Sequence, residues 1–143
     1  MCRAHATVRG LLGEIVAGAS DIAVADMEAG LEHLSRGTPR YVDAIVAVLE
    51  PYYRSLETAA RVVELTRELG VGQVHGVANK VRDQNDRRAI DEFCRARGIS
   101  LVGVIPHDEA ILEADRQGHA LLDRSPDAPS VQAIGSIADR LVG

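Results

Sequence analysis

The sequence predicts an α/β fold in which a mostly parallel sheet of about four strands is covered by helices. Four short, continuous apolar runs are present, and segments with helical periodicity lie between them. Strands that are apolar on both faces and alternate with helices are typical of parallel sheets with right-handed crossovers. The predicted strands span residues 22–25, 44–49, 74–78 and 101–105.

The predicted helices lie before, between and after these strands, and glycines mark several of their ends. In the longest of them, Val62, Val63 and Leu69 share one face, and Gly70 follows as a stop. Cys94 lies on the inward face of another, where we expect buried packing. The loop over residues 27–39 has mixed polarity and is predicted to be functional. The helices are predicted over residues 4–17, 55 or 56 to 69, 86–97, 107–117 and 131–141.

Length and composition indicate a single domain over residues 1–143, with 46% hydrophobic residues available for its core. A net charge of −5 argues against general binding of nucleic acid. No apolar run approaches the roughly 20 residues of a membrane span, and no secretory leader is expected. Cys2 and Cys94 lie far apart, which is typical of a reducing compartment. These features favour a cytoplasmic protein.

Ligands of open parallel sheets bind at the carboxyl ends of the strands, so the residues after each strand form the candidate site. Asp26 follows the first strand, and a carboxylate at such a position often holds magnesium through water. Gly30 lies four residues later, and a glycine lets its backbone N–H approach a phosphate. A turn or helix cap explains an acid at a strand end equally well, so both interpretations stay open.

Two further groups of candidates follow the first and third strands. Asn79, beside Lys80, carries a side chain that both donates and accepts, so it is suited to a purine base; a turn residue is the alternative. Glu28 and Glu32 are four residues apart and share a face if their loop is helical. Together with His33 they are candidate partner or switch contacts, with a solvated surface as the alternative.

These segments together resemble the accessory ATPases that insert nickel into carbon monoxide dehydrogenase, the CooC type. That type belongs with MinD, ParA and the nitrogenase iron protein, in the deviant-Walker class of P-loop ATPases. The run Asp-Met-Glu-Ala-Gly-Leu-Glu-His-Leu-Ser-Arg-Gly-Thr at residues 26–38 resembles the Walker B and switch II region. Residues 44–60 resemble the strand and helix after switch II. Val-Ala-Asn-Lys-Val at 77–81 resembles the base-recognition strand end, and Val-Ile-Pro-His-Asp at 104–108 resembles the last strand and its loop.

The resemblance implies roles for single residues. Asp26 is implied to support magnesium and the attacking water, and Asn79 is implied to contact the adenine. ATP and magnesium are the implied cofactors, and members of the family dimerise across the nucleotide. The implied nucleotide-binding residues are Gly30, Asn79, Lys80, Pro106, His107 and Asp108.

The sequence departs from the family pattern in two ways. No Walker A motif of the form G-x-x-x-x-G-K-[S/T] occurs in it. We therefore expect the C-terminal half of such an ATPase: a partial P-loop NTPase fold that lacks the P-loop strand. Loss of that strand exposes sheet edges, which predicts either a dimer or a sheet in which the first two strands pair directly. The CooC type also has a Cys-x-Cys pair; Cys2 matches only its second cysteine, and a single thiol is a poor nickel or zinc site.

Two functions are consistent with these observations. In the first, the chain is a fragment of an ATP-dependent metallochaperone for nickel enzymes, inactive alone without Walker A. It would form a homodimer and serve a client such as carbon monoxide dehydrogenase. In the second, it is a non-catalytic interaction module or regulator that pairs with a full-length MinD- or ParA-type ATPase through residues 28–38. A receiver domain is disfavoured, because the acidic pair and the lysine that it requires are not in place.

Overall fold

The computed structural model describes residues 22–26 and 42–142, and within them three strands form one parallel sheet in the order β1-β2-β3. Four helices and one short helical turn connect or follow the strands. The prediction of an α/β fold with a parallel, helix-covered sheet is confirmed. The elements are β1 (Ala44–Leu49), α1 (Tyr53–Glu68), β2 (Gln73–Val81), α2 (Gln84–Arg97), β3 (Ser100–Pro106), α3 (Glu109–Arg116), α4 (Leu121–Arg124) and α5 (Pro129–Val142).

The first predicted strand is not formed. Residues 22–26 have no regular structure and are exposed, with 91% of the surface of Val24 accessible to solvent. A strand is stable only when a neighbour pairs with its backbone and other elements cover its side chains. No described strand pairs with this segment. The described sheet therefore has three strands, and the predicted direct pairing of the first two strands is wrong for it.

The other predicted elements within the described residues are confirmed, with their ends shifted by a few residues. β2 continues past its predicted end to Val81. α3 begins at Glu109 and not at His107, because Asp108 has an extended backbone and caps the helix. The single turn α4 was not predicted, because a turn without buried residues shows no periodicity. The predicted helix over residues 4–17 and the loop over 27–39 lie outside the described residues.

The helix α2 shows how local sequence sets the ends of an element. The Asp83 side chain accepts hydrogen bonds from the backbone N–H groups of Asn85 (2.8 Å) and Asp86 (2.9 Å), which satisfies two of the unpaired donors of the first turn. Gly98 ends the helix in the left-handed conformation, with φ of 61°. The strand β3 can therefore begin two residues later.

The main core lies between the sheet and the two helices α1 and α2, which cover the same face. Two right-handed crossovers that run in one direction place their helices in this way. Cys94 is 2% exposed within the core, so the predicted packing role is confirmed, and burial raises the pKa of its thiol. The buried residues of this cluster are Leu49, Ala59, Val63, Ala78, Ile90, Cys94 and Ile99.

On the opposite face of the sheet, α5 packs mainly against β3. The missing side chain at Gly103 gives Ile137 of α5 its place against the sheet. β1 lies at the edge of the sheet, and its Val46 and Val48 point to this second face, where they are 42% and 55% exposed. One edge and one face of β1 are thus uncovered by any described residue. No helix among the described residues has the length and apolar character to cross a membrane.

Candidate functional site

The carboxyl ends of the three strands lie side by side, so the residues that follow them share one edge of the sheet. The register pairs Leu49 of β1 with Ala78 of β2, and Val81 of β2 with Pro106 of β3. The backbone N–H of His107 donates to the carbonyl oxygen of Val81 at 2.9 Å, which extends the contact beyond the strand end. The structure therefore brings the segments 79–80 and 106–108 together, at the edge where ligands of open parallel sheets bind.

The last part of β2 is irregular. Its pairing with β3 shifts register between Ala78 and Val81, and Lys80 in between has φ of 56°, a conformation that residues with a side chain seldom adopt. Asn79 stabilises the turn, because its Oδ1 accepts the backbone N–H of Lys80 at 3.0 Å. Irregularities of this kind often re-aim side chains beside functional sites.

Asn79 therefore shapes a turn and still has capacity for a ligand. Its Nδ2 group can donate two hydrogen bonds, and a second lone pair on Oδ1 can accept one. A purine edge needs a donor and an acceptor side by side. The turn and the base-contact interpretations of Asn79 are thus compatible with each other.

A polar cluster at the ends of β1 and β2 holds the side chain of Lys80. Its Nζ lies 2.8 Å from Oε1 of Glu50, and the hydroxyl of Tyr52 donates to Oε2 of the same carboxylate. Burial by itself would raise the pKa of Glu50, but the hydrogen bonds from Lys80 and Tyr52 lower it. The hydrogen bond to Glu50 also raises the pKa of Lys80 and that of Tyr52. Glu50 and Lys80 are therefore an ion pair at neutral pH.

The sequence placed Glu50 among the polar residues after the strands without predicting a role for it, and it did not point to Tyr52. Glu50 directly follows β1, so the rule that selected residues after each strand applies to it as well. Tyr52 lies two residues further on, after Pro51, and only the folded chain shows that it reaches the same carboxylate.

Asp108 lies at the predicted edge, but its carboxylate accepts hydrogen bonds from the first turns of two helices. Oδ1 accepts the N–H of Ala110 at 3.0 Å, at the start of α3. Oδ2 accepts the hydroxyl of Ser130 at 2.7 Å and its N–H at 3.2 Å, at the start of α5. The bonds from Ser130, and then the one from Ala110, lower the pKa of Asp108. In the structure Asp108 joins α3 to α5, and its implied contact with the nucleotide stays a prediction.

The remaining predicted residues are not assembled into a site by the described part of the chain. Asp26 is exposed in the segment without regular structure, so its magnesium role stays a prediction. Within residues 22–26 and 42–142, no three His, Cys, Asp or Glu side chains gather closely enough to hold a metal ion. The other candidates lie outside the described residues: Cys2, Glu28, Gly30, Glu32 and His33.

Several known proteins are similar to this chain in sequence or in fold. No family model matches the sequence. The sequence is 43% identical over 126 residues to the carbon monoxide dehydrogenase accessory protein CooC of Rhodospirillum rubrum, over 88% of this chain and 47% of that protein. The fold matches a ParA family ATPase from Chlorobium tepidum with a TM-score of 0.77 and 21% identity, over 96% of this chain and 56% of the other. The chain is CooC-like in sequence and has the fold of the ParA and MinD ATPases.

A second solved structure supports the fold of this CooC-like chain. The septum site-determining protein MinD from Pyrococcus horikoshii, complexed with Mg-ADP, matches with a TM-score of 0.72 and 20% identity, over 93% of this chain and 56% of that one. The P-loop NTPase fold predicted from the sequence is therefore confirmed for the described residues. The chain spans about half the length of the curated relatives that it matches, 47% and 52% for two of them.

Proposed function

We propose that this chain forms the base-binding part of an accessory ATPase for the maturation of a nickel enzyme. The observation that carries the proposal is the irregular turn at Asn79 and Lys80, beside His107, at the ligand-binding edge of a CooC-like sheet. In this arrangement Asn79 reads the adenine edge, and Pro106 and His107 line one side of the base. The similar MinD structure contains Mg-ADP, which supports an adenine nucleotide as the ligand class.

The phosphate side of the site depends on residues that the structure does not describe. We propose that Gly30 gives its amide to the γ-phosphate and that Asp26 supports magnesium, as the resemblance implies. Magnesium bound with ATP neutralises charge on the β- and γ-phosphates. No Walker A motif occurs in the 143 residues, so we expect this chain by itself to bind the base without hydrolysing ATP.

The relative CooC is named as an accessory protein of carbon monoxide dehydrogenase, and we propose an enzyme of that class as the client. Nickel is then the cargo of the reaction, and Cys2 is a candidate ligand for nickel or zinc, in a cytoplasmic setting. Residues Glu28, Glu32 and His33 are candidate contacts with the client. Co-purification of the chain with metal-free carbon monoxide dehydrogenase tests this step. Elution of the two proteins in separate fractions would count against it.

Replacement of Asn79 by alanine is expected to weaken ATP binding by roughly tenfold, because one or two hydrogen bonds to the base are lost. Isothermal titration calorimetry of the chain with ATP and magnesium measures the effect. Gln73→Ala is the matched control, since Gln73 is an exposed carboxamide at the start of β2, the opposite end of the strand from Asn79. Equal affinities for wild type and Asn79→Ala would contradict the base contact, and no binding by the wild-type chain would overturn the proposed function.

We also propose that the chain forms a homodimer and that the uncovered side of β1 takes part in it. Val46 and Val48 are apolar and exposed there, and edge strands with such a surface tend to associate. Val48→Lys is expected to shift the chain from dimer toward monomer in sedimentation velocity experiments. Leu122→Lys, at a residue that is 62% exposed on α4, is expected to have no such effect. A wild-type chain that is monomeric at every concentration argues against the dimer.

A further inference from the structure

The left-handed turn at Lys80 is unusual in this chain. Lys80 is the one residue other than glycine with positive φ among the described residues. A residue with a side chain persists in this conformation only when its surroundings hold it there. At Lys80 two restraints are visible: its backbone N–H is bound to Oδ1 of Asn79, and its Nζ is bound to Oε1 of Glu50.

The carboxylate of Glu50 is itself held in place. Its side chain is only 17% exposed, whereas that of Lys80 is 58% exposed, so the carboxylate is the fixed end of the pair. The hydroxyl of Tyr52 donates to its second oxygen. The Glu50 backbone N–H donates to Oγ of Ser55 at 2.9 Å, and its carbonyl oxygen accepts the N–H of Tyr52 at 2.8 Å. Side chain and backbone of Glu50 are thus both anchored to the start of α1.

The ion pair between Glu50 and Lys80 and the hydrogen bond between Lys80 and Asn79 together link Glu50 to the Asn79 side chain. Rotation of the peptide group between Asn79 and Lys80 changes the φ of Lys80 and the direction of its N–H together. This N–H binds Oδ1 of Asn79 and so sets where the Nδ2 group points. We propose that Glu50 and Tyr52 are positioning residues for nucleotide binding: they hold Lys80 in its left-handed turn and so aim the Asn79 carboxamide at the base. This inference rests on the proposed function, and it assigns a specificity role to two residues that do not themselves contact the nucleotide.

The turn can be tested without any nucleotide, by NMR of the whole chain. Glu50→Gln is expected to shift the signals of the Asn79 side-chain amide and of the Lys80 backbone amide. In a Lys80→Gly background the same substitution is expected to cause no shift of Asn79, because glycine adopts positive φ without a restraint and offers no ammonium to Glu50. Glu57→Gln is the matched control, since Glu57 forms a 2.9 Å ion pair with Arg61 on α1. An equal shift of Asn79 with and without Lys80 would overturn the proposal.

Nucleotide preference supplies a readout that a purely structural role would leave unchanged. Glu50→Gln, Tyr52→Phe and Lys80→Ala are each expected to lower the preference for ATP over GTP by roughly five- to tenfold, the equivalent of one net hydrogen bond. Lys80→Gly is expected to retain more of the preference than Lys80→Ala, because alanine is strained at this φ. An unchanged preference in Glu50→Gln and Lys80→Ala would refute the positioning role. A wild-type chain that binds no nucleotide would refute the proposed function instead, while the NMR shifts still decide whether Glu50 holds the turn.

Discussion

Replacement of Gly103 by alanine is expected to destabilise the protein by about 3 kcal/mol, at the upper end of the range for overpacking. Gly103 lies in the middle of β3, under α5. An added Cβ would lie 2.7 Å from Cδ1 of Ile137 and would overlap its Cγ1, while the Ile137 Cβ would be 3.5 Å away. The two clashing atoms form the ethyl arm of Ile137, which cannot swing aside freely because the side chain is buried and its β-branch restricts χ1 in a helix. We therefore expect α5 to be pushed off the sheet.

Urea denaturation measures this effect, and the chain offers a matched control. Gly135 lies on the same helix α5, and an added Cβ there meets no atom within 4 Å. Gly135→Ala is expected to be neutral or to stabilise by about 0.5–1 kcal/mol, since alanine is the better helix former. In the Gly103→Ala background, Ile137→Ala is expected to relieve the overlap, so the two costs should not add. If Gly103→Ala proves as stable as the wild type, the close packing of α5 on β3 is wrong.

The elements that were predicted well begin and end at residues that can be recognised in the local sequence. β1 matches its prediction at both ends, because a continuous apolar run stops directly before Glu50-Pro51. α2 likewise begins after the capping residue Asp83 and ends at Gly98. The run at residues 22–25 has the same apolar character, yet it forms no strand. A strand also needs a neighbour, and no local pattern states whether one is present.

For the candidate site, too, the sequence predicted local features but not those that depend on distant segments. The rule that ligands lie at strand ends selected Asn79, Lys80 and Pro106, and these residues share one edge in the structure. Their contact with a nucleotide stays a prediction. The left-handed turn of Lys80 arises from the register shift between β2 and β3 and from the Glu50 carboxylate, 30 residues away in the sequence. Contacts between segments so far apart leave no periodic signal, so sequence reasoning named the residues without their conformations.

The role of Asp108 is the sharpest case, because the family pattern predicts a nucleotide contact and the structure shows a link between two helices. Asp108→Ala is expected to lower the free energy of unfolding by about 3 kcal/mol. Loss of the cap on α3 costs about 1 kcal/mol. A further roughly 1–3 kcal/mol follows because the hydroxyl of Ser130, which is fully buried, loses its acceptor. Asp139→Ala, at an exposed carboxylate on α5, is the control and should stay within about 0.5 kcal/mol of wild type.

The pH dependence of stability gives an independent measure of the same link. The hydrogen bonds from Ser130 and Ala110 lower the pKa of Asp108 in the folded state. A carboxyl with a lowered pKa adds stability that is fully present above its unfolded pKa of about 3.9, and that is lost as the pH falls through the folded value. Asp108→Asn is therefore expected to flatten the acid limb of the stability profile below about pH 5, measured by urea denaturation at successive pH values.

The two roles of Asp108 predict opposite patterns for this variant. If the carboxylate only joins α3 to α5, Asp108→Asn lowers stability at neutral pH and leaves the affinity for ATP unchanged at temperatures where the chain stays folded. If it contacts the nucleotide, the affinity falls while the acid limb keeps its wild-type slope. All three bonds that its oxygens accept come from helix starts, and the buried Ser130 depends on one of those oxygens. For these reasons we expect the first pattern.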